Sequence, residues 1–298
     1  MKRRDFLKLT LATAVLTACG KKEGRIGIAL GGGGARGLAH VLMLEVLDEL
    51  NIRPHRIAGT SIGAIMGALY ASGMPGYEIR KLIDRLTVAE DESWLSSLFE
   101  EEIGRWWNII ELQLGRGGLI TTSAFAKVLQ EELGVTRFNE LKIPLMVVAT
   151  DFWSRKQVVF RKGELLPAIQ ASMAVPGLFS PVQHKGKVLV DGGLVNPVPY
   201  DLLFDDCDVV VAIDVLGERT PEMENGEPTY FETTFNTYQI MQASIMDEKL
   251  KHQPPDIYIR PELENIRVLE FNRVDEIYAQ SKSARNKLKR SLRRYSKV

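Results

Sequence analysis

This chain of 298 residues has few cysteines and histidines and a formal net charge of zero. It has two cysteines, Cys19 and Cys207, and four histidines, and no spacing typical of a zinc site or a calcium-binding loop occurs. The 38 basic and 38 acidic residues cancel, which argues against a nucleic-acid partner. The apolar run Leu9–Leu16 is too short to span a bilayer as a mature helix. We therefore predict a globular protein that needs no metal, no cofactor and no nucleic acid.

The remaining composition predicts a single domain of the α/β class over residues 25–298. With 45% hydrophobic and 26% charged residues, the chain is large enough for one sizeable core. Apolar runs typical of buried strands alternate with segments of helical periodicity, which indicates a three-layer α/β/α sandwich with a mostly parallel central sheet. The predicted strands are Arg25–Leu30, Arg56–Ala58, Ile143–Thr150, Gln157–Phe160, Val188–Val190, Cys207–Val215 and Asp256–Ile259.

The first eighteen residues have the pattern of an export signal. Arg3–Lys8 resembles the twin-arginine signature of proteins exported in the folded state. Leu16–Cys19 resembles a bacterial lipobox, so we expect cleavage before Cys19, lipid on that cysteine and a short tether over residues 19–24. An uncleaved hydrophobic anchor is the alternative. The expected location is the bacterial cell envelope, facing the periplasm or the exterior, and Gly20 after the cysteine favours the outer membrane.

Gly59-Thr60-Ser61-Ile62-Gly63 marks the candidate nucleophile. A short apolar run precedes it and small and apolar residues at helical spacing follow it, so the pattern predicts a strand, a tight turn and a helix. The turn would hold the Ser61 hydroxyl at a helix N-terminus, where developing negative charge is favoured. Gly-x-Ser-x-Gly alone has only three fixed positions, so its neighbours must support it.

A second glycine-rich segment, Gly31–Gly37, lies between the first predicted strand and its helix. Gly32, Gly34 and Gly37 formally satisfy Gly-x-Gly-x-x-Gly, but no acidic residue follows at the spacing of a dinucleotide site, and no Lys-Ser or Lys-Thr makes a P-loop. A glycine run before a helix can also present backbone N–H groups to an oxyanion. We favour that role because it fits Ser61, with a simple tight turn as the alternative.

The serine needs a base, and the strongest candidate is Asp191. It ends the apolar run Val188–Val190 and is followed by two glycines, which would place a carboxylate at the sheet edge; an ordinary Asp-Gly hairpin turn is the alternative. The four histidines have no supporting motif and are predicted to be structural or exposed. They are His40, His55, His184 and His252.

Four ordered blocks resemble those of the patatin-like phospholipase family: Gly32–Gly37, Gly59–Gly63, Ala171–Pro176 and Asp191–Gly193. The resemblance implies hydrolysis of acyl esters in lipids by a Ser–Asp dyad without histidine. It makes Ser61 the nucleophile, Asp191 the base, and the loop around Gly33 and Gly34 the oxyanion hole, with Gly32, Arg36 and Gly37 completing that region. The Ala171–Pro176 block is expected to shape the site, and Arg36 to orient the loop or a lipid phosphate.

Two other functions remain open at this stage. One is an α/β-hydrolase that uses Ser61, an acid and His252 in chain order. The other is a lipoprotein that binds lipid or a partner without turnover.

Two segments are candidates for contact with a membrane. Residues 94–110 carry three of the four tryptophans at helical spacing, which suits a lid, a lipid contact or a core helix. A predicted C-terminal helix, about residues 272–295, has one apolar face, and eight lysines and arginines with no acidic residue follow Glu276. This basic helix is expected either to be simply solvated or to bind anionic headgroups.

Overall fold

The computed structural model of the protein describes residues 24–87, 129–218 and 230–296. The export signal, Cys19 and the tryptophan-rich segment 94–110 lie outside these ranges. Within them, the structure contains the seven predicted strands and one more, Val182–His184, that sequence analysis did not predict. The strands are β1 Ile26–Leu30, β2 Arg56–Thr60, β3 Leu145–Asp151, β4 Lys156–Phe160, β5 Val182–His184, β6 Lys187–Asp191, β7 Val209–Ile213 and β8 Ile257–Ile259. The helices are α1 His40–Glu49, α2 Ile62–Ser72, α3 Gly76–Thr87, α4 Leu165–Ser172, α5 Tyr230–His252 and α6 Val274–Leu292.

One sheet of eight strands contains every strand of the described ranges, in the order β5-β6-β3-β2-β1-β7-β8, with β4 also paired to β3. Five adjacent strands run parallel to one another, in the order β8-β7-β1-β2-β3, whereas β4 and β6 run antiparallel to β3. The parallel strands are nearly continuous runs of Ile, Val, Leu and Ala because helices cover both of their faces. The predicted fold class, a sandwich with a mostly parallel sheet, is confirmed.

The two layers of helices cover different faces of the sheet. The larger apolar core joins one face to α1, α2, α3, α4 and α6. On the opposite face, a smaller core gathers Met246 of α5 and the residues around a 3-10 turn at Tyr200–Leu203. None of the described helices is long and apolar enough to cross a membrane.

The C-terminal helix has the predicted apolar face. Its buried residues are Val274, Ile277, Tyr278, Ser281, Ala284, Leu288 and Leu292. Two of its cations, Arg285 and Lys289, pair with Glu49 at the end of α1, and Ser296 donates a hydrogen bond to the carbonyl of Leu50. The basic end of α6 therefore lies where α1 ends, beside the amino ends of β1 and β2.

Candidate active site

Ser61 lies on the turn between β2 and α2 in a backbone conformation that serine rarely adopts. Its φ is 54° and its ψ is −126°, which costs of order 1–3 kcal/mol and persists only where the surroundings enforce it. The flanking glycines enforce it by close approach. A Cβ at Gly63 would lie 2.1 Å from the carbonyl oxygen of Leu30, and one at Gly59 would lie 2.6 Å from the Cα of Ala64. The predicted elbow is thus present.

The order of the sheet brings Asp191 to this turn. β2 pairs with the first half of β3, ending at Thr60 opposite Val148, and β6 pairs with the second half, with Asp191 opposite Ala149. Because β4 occupies the other edge of β3 over Val147–Asp151, β2 and β6 share one edge. They run toward each other, so the last residue of β6 meets the last residue of β2.

The two oxygens of the Asp191 carboxylate have different surroundings. Oδ1 accepts hydrogen bonds from the N–H of Gly193 at 2.6 Å and from the hydroxyl of Tyr238 at 2.9 Å. Oδ2 is buried and has no hydrogen-bond partner among the described residues. The Ser61 hydroxyl is near enough to lower the pKa of this carboxyl, but it does not meet hydrogen-bond geometry, as is common for catalytic pairs without substrate.

Burial dominates the protonation of Asp191. The side chain is 1% exposed, and desolvation raises its pKa to about 6, against the lowering effects of Gly193, Ser61 and Tyr238. A carboxylate whose pKa lies closer to neutrality is a better general base than an exposed aspartate.

The glycine loop is fixed to three neighbouring segments. The N–H of Gly31 donates to the Ile213 carbonyl at the end of β7, the N–H of Gly32 to Pro197, and the N–H of Ala35 to Val268. No hydrogen bond joins the N–H of Gly33 or Gly34 to another described residue. In the predicted oxyanion loop the N–H of Gly32 is therefore already used, whereas those of Gly33 and Gly34 have no partner among the described residues.

Three other residues support the loop. A Cβ at Gly37 would lie 2.2 Å from Cγ2 of Ile62. Gly37 therefore allows the 3-10 helix Gly34–Ala39 to pack against α2. Arg36, predicted to orient the loop, is 1% exposed and donates from Nε to the Gly33 carbonyl at 3.4 Å. His40 is fully buried, which lowers its pKa to about 4, and its Nε2 lies 2.9 Å from the Gly31 carbonyl oxygen. A neutral imidazole that donates from Nε2 satisfies this contact.

The block Ala171–Pro176 contributes through Ser172. Its hydroxyl accepts a hydrogen bond from the N–H of Ser61 at 2.8 Å and donates to the Val148 carbonyl at 2.6 Å. Ser172 therefore ties the elbow to β3, as expected of a block that shapes the site.

A pocket opens from Ser61 and Asp191 between α2, α3, α5 and the segment around Val268. Its polar lining consists of these two residues and Arg36, Thr87, Glu132, Tyr238, Gln239 and Gln242. The other side chains that line it, apart from the glycine loop, are apolar: Leu38, Ile62, Ile65, Met66, Leu69, Leu82, Ile83, Leu86, Leu129, Met173, Val175, Leu178, Phe179, Phe235, Val268, Leu269 and Phe271. Such a lining suits a long hydrocarbon chain.

The described residues that line the pocket include no histidine. His252, which the α/β-hydrolase alternative requires, ends α5, is 77% exposed and contacts Glu248. It lies fourteen residues after Tyr238 on the same helix, about 21 Å along the axis. His184 packs against the ring of Phe160, and His55 is exposed. No group of three or more histidine, cysteine or acidic side chains within the described ranges could hold a metal ion.

Sequence analysis missed Tyr238 and the residues that support the segment after Asp191. Asn196 has its carbonyl bound by Thr60, and its side chain contacts Gln157, Asp201 and Lys249. Lys249 and Tyr238 both come from α5, whose sequence has no motif. Only a structure could show that this helix reaches the site.

The fold and this site define an α/β protein with a serine elbow facing a buried carboxylate. The sequence model described as patatin-like phospholipase matches residues 28–204. The chain belongs to the patatin-like phospholipase family.

Relatives agree with this family but are longer. An uncharacterized NTE family protein of Mycobacterium tuberculosis is 30% identical over 218 residues, which cover 73% of this chain and 56% of that protein. Lysophospholipase NTE1 of Saccharomyces cerevisiae is 29% identical over 276 residues, 85% of this chain and 16% of that protein. The chain therefore spans little more than half of the mycobacterial relative and a small part of the yeast one.

Solved structures are more distant. VipD from Legionella pneumophila aligns with a TM-score of 0.46 and 16% identity, over 89% of this chain and 67% of that one. The type III effector protein ExoU aligns with a TM-score of 0.43 and 14% identity, over 91% and 53% of the two chains.

Proposed function

We propose that this protein is a serine acyl hydrolase that cleaves fatty-acyl ester bonds of phospholipids or lysophospholipids through a Ser61–Asp191 dyad. One observation carries the proposal: Oδ1 of Asp191 accepts hydrogen bonds from two donors, whereas the buried Oδ2 has no partner among the described residues, and Ser61 is near enough to lower the pKa of this carboxyl. A buried carboxylate oxygen without a partner is costly, and accepting the Ser61 proton would satisfy it. Family membership and the apolar pocket support a lipid substrate.

In the proposed first step, Oγ of Ser61 attacks the ester carbonyl carbon while its proton passes to Oδ2 of Asp191. The negative charge that develops on the carbonyl oxygen is stabilised by the N–H groups of Gly33 and Gly34. Collapse of the tetrahedral intermediate breaks the ester C–O bond, and Asp191 returns the proton to the leaving alcohol. The product of this step is the acyl-enzyme.

In the second step, Asp191 takes a proton from water, and the hydroxide attacks the acyl carbon. The bond to Ser61 breaks and the serine recovers its proton from Asp191, which releases the fatty acid. The apolar pocket would hold the acyl chain during both steps.

The test uses a fluorophosphonate, which labels an activated serine, together with fatty-acid release from phospholipid and lysophospholipid. Wild type should be labelled at Ser61 and release fatty acid. Ser61→Ala and Asp191→Asn should do neither, while His252→Ala and His184→Ala should behave like wild type. Absent labelling of wild type would favour a lipid-binding protein without turnover, and loss of activity in His252→Ala would favour the α/β-hydrolase alternative.

We also propose, on the sequence pattern alone, that Cys19 carries lipid and anchors the protein in a bacterial envelope. Expression with labelled palmitate tests this proposal: wild type should incorporate label and Cys19→Ser should not. Fractionation of inner and outer membranes then tests the expected outer-membrane location.

A further inference from the structure

The turn between β3 and β4 presents two large aromatic side chains to solvent. Trp153 is 75% exposed and Phe152 46%, and their rings stack edge to face with centroids 4.9 Å apart. Exposing this much aromatic surface is unfavourable in water. The pair is therefore a candidate contact surface.

The backbone of this turn is held firmly. The N–H of Arg155 donates to the Asp151 carbonyl at 2.8 Å, and the N–H of Phe152 donates to Val188 of β6 at 2.9 Å. The rings thus project from a fixed turn, and ordering them on a partner would cost little entropy.

Four cations lie in the hairpin of the aromatic pair and in the hairpin beside it. Arg155 and Lys156 follow it in the same hairpin, and Lys185 and Lys187 belong to the adjacent β5–β6 hairpin; all four are exposed. Among the described residues, Lys187 has an acidic partner, Asp151 at 3.0 Å, and the other three cations have none. No acidic residue occurs in 152–163 or 180–190. Without residues 1–18 the chain has 34 basic and 37 acidic residues, so the excess of positive charge in these hairpins, like that in α6, contrasts with the overall balance.

The turn projects from the same end of the sheet as the candidate site. Asp191 is opposite Ala149, and Phe152 lies three residues further along the chain, about 10 Å at the rise of a strand. Ser61 follows the carboxyl end of β2, which points the same way. The basic end of α6, by contrast, lies beside the amino ends of the strands.

We propose that the Phe152–Trp153 turn and the cations of the two hairpins dock the protein on a bilayer with anionic headgroups. The aromatic rings insert at the interface, where tryptophan is favoured, and the cations contact lipid phosphates. Charge complementarity selects an anionic surface. The paired rings favour a bilayer over an acidic protein, because rings on a rigid turn fit a fluid apolar layer. Docking in this orientation turns the end of the sheet that carries Ser61 toward the lipid.

The test measures sedimentation with vesicles of phosphatidylcholine, with and without phosphatidylglycerol, at low and high salt. All proteins start at Gly20, so no acyl chain contributes, and carry Ser61→Ala, so no lipid is consumed and binding is scored independently of the proposed hydrolysis. Far-UV circular dichroism and thermal unfolding confirm that each variant is folded.

Two variants probe the surface, and each has a matched control. Arg155→Gln, Lys156→Gln and Lys185→Gln together remove three cations from the hairpins; the control removes Lys282, Lys287 and Arg290, three exposed cations of α6. Phe152→Ser with Trp153→Ser removes the rings; the control is Tyr77→Ser, an exposed aromatic of α3.

We expect the hairpin triple variant to bind anionic vesicles at least about tenfold more weakly, with a smaller salt dependence, because each cation near the surface contributes substantially. The ring variant should lose binding at both salt concentrations, and both controls should bind like the parent. Three outcomes would each overturn the proposal: a variant and its control lose vesicle binding equally, only the α6 control loses binding, or the parent does not bind vesicles.

Discussion

The phenol of Tyr238 donates a hydrogen bond of 2.9 Å to Oδ1 of Asp191, from a helix 47 residues further along the chain. With the Gly193 N–H on the same oxygen, it fixes the plane of the carboxylate and leaves Oδ2 directed away from these donors. It also stabilises the charged form of Asp191, since this bond lowers the pKa of the carboxyl. Tyr238 is therefore a positioning residue for the proposed base.

The first prediction concerns Tyr238→Phe and pH. Asp191 must be ionised to act, so kcat/KM of wild type should fall as pH decreases through about 6. Without the phenol the pKa of Asp191 rises, so the fall in activity on the acidic side should occur at a higher pH, while activity at pH 9 changes little. Tyr258→Phe is the control, because that phenol donates to Asp214 instead. If activity instead falls at the same pH as in wild type and is reduced equally at all pH values, Tyr238 has only a structural role.

The second prediction is that Asp191→Asn stabilises the protein at alkaline pH. Asp191 has a pKa of about 6 when folded and 3.8 as a free side chain, so the folded state binds the proton more tightly. Wild-type stability therefore falls, on this account, as pH rises from about 4 to 6, and the cost persists above 6. Relative to wild type, the variant should gain about 2 kcal/mol between pH 4 and pH 8. Urea unfolding at both values measures this, and an equal difference at the two pH values would contradict it.

The third prediction compares two variants of the proposed nucleophile. Ser61→Ala and Ser61→Gly both remove the hydroxyl, but only alanine keeps a Cβ at a φ of 54°. Glycine adopts this conformation without strain, so Ser61→Gly should be the more stable by about 1 kcal/mol. The usual ranking in thermal unfolding, with glycine less stable than alanine, would show that the elbow is not strained.

The fourth prediction concerns Gly34→Ala. The sequence suggests an effect mainly on activity, but Gly34 has a φ of 58° and its Cβ would lie 2.3 Å from the carbonyl oxygen of Val268. We expect loss of both stability and turnover, the latter roughly 10²-fold if one oxyanion donor moves. Gly163→Ala also introduces a Cβ at positive φ, but with nothing within 4 Å. It should lose about 1 kcal/mol of stability and no activity; similar results for both would exclude a role for the contact.

Sequence patterns predicted the elements of the fold because each has a local cause. Burial of both faces makes β1, β3 and β7 continuous apolar runs, and burial of one face gives α6 its three-to-four spacing. Ser61 and Asp191 could also be predicted from local sequence, because glycines lie two residues on either side of Ser61 and directly after Asp191. These features are encoded within a few residues of the positions that they specify.

The contacts that sequence analysis missed depend on distant parts of the chain. Nothing near Tyr238 indicates that α5 crosses Asp191, and nothing near Gly32 indicates that its N–H is taken by Pro197. Such contacts follow from how helices and loops pack on the sheet, and packing leaves no local pattern. Only the structure could therefore show that the N–H of Gly32 is used, whereas those of Gly33 and Gly34 have no partner among the described residues.

Because β2 and β6 lie end to end on one edge of β3, a single peptide link, from Val148 to Ala149, sets the distance between the ends of these two strands and so between Ser61 and Asp191. An insertion outside β2, β3 and β6 leaves the pairing of these three strands unchanged, because it does not alter the ladder. One residue inserted between Val148 and Ala149 would shift Asp191 by a full strand position and reverse the face of its side chain. The relative placement of Ser61 and Asp191 therefore depends on the length of the middle of one strand, β3.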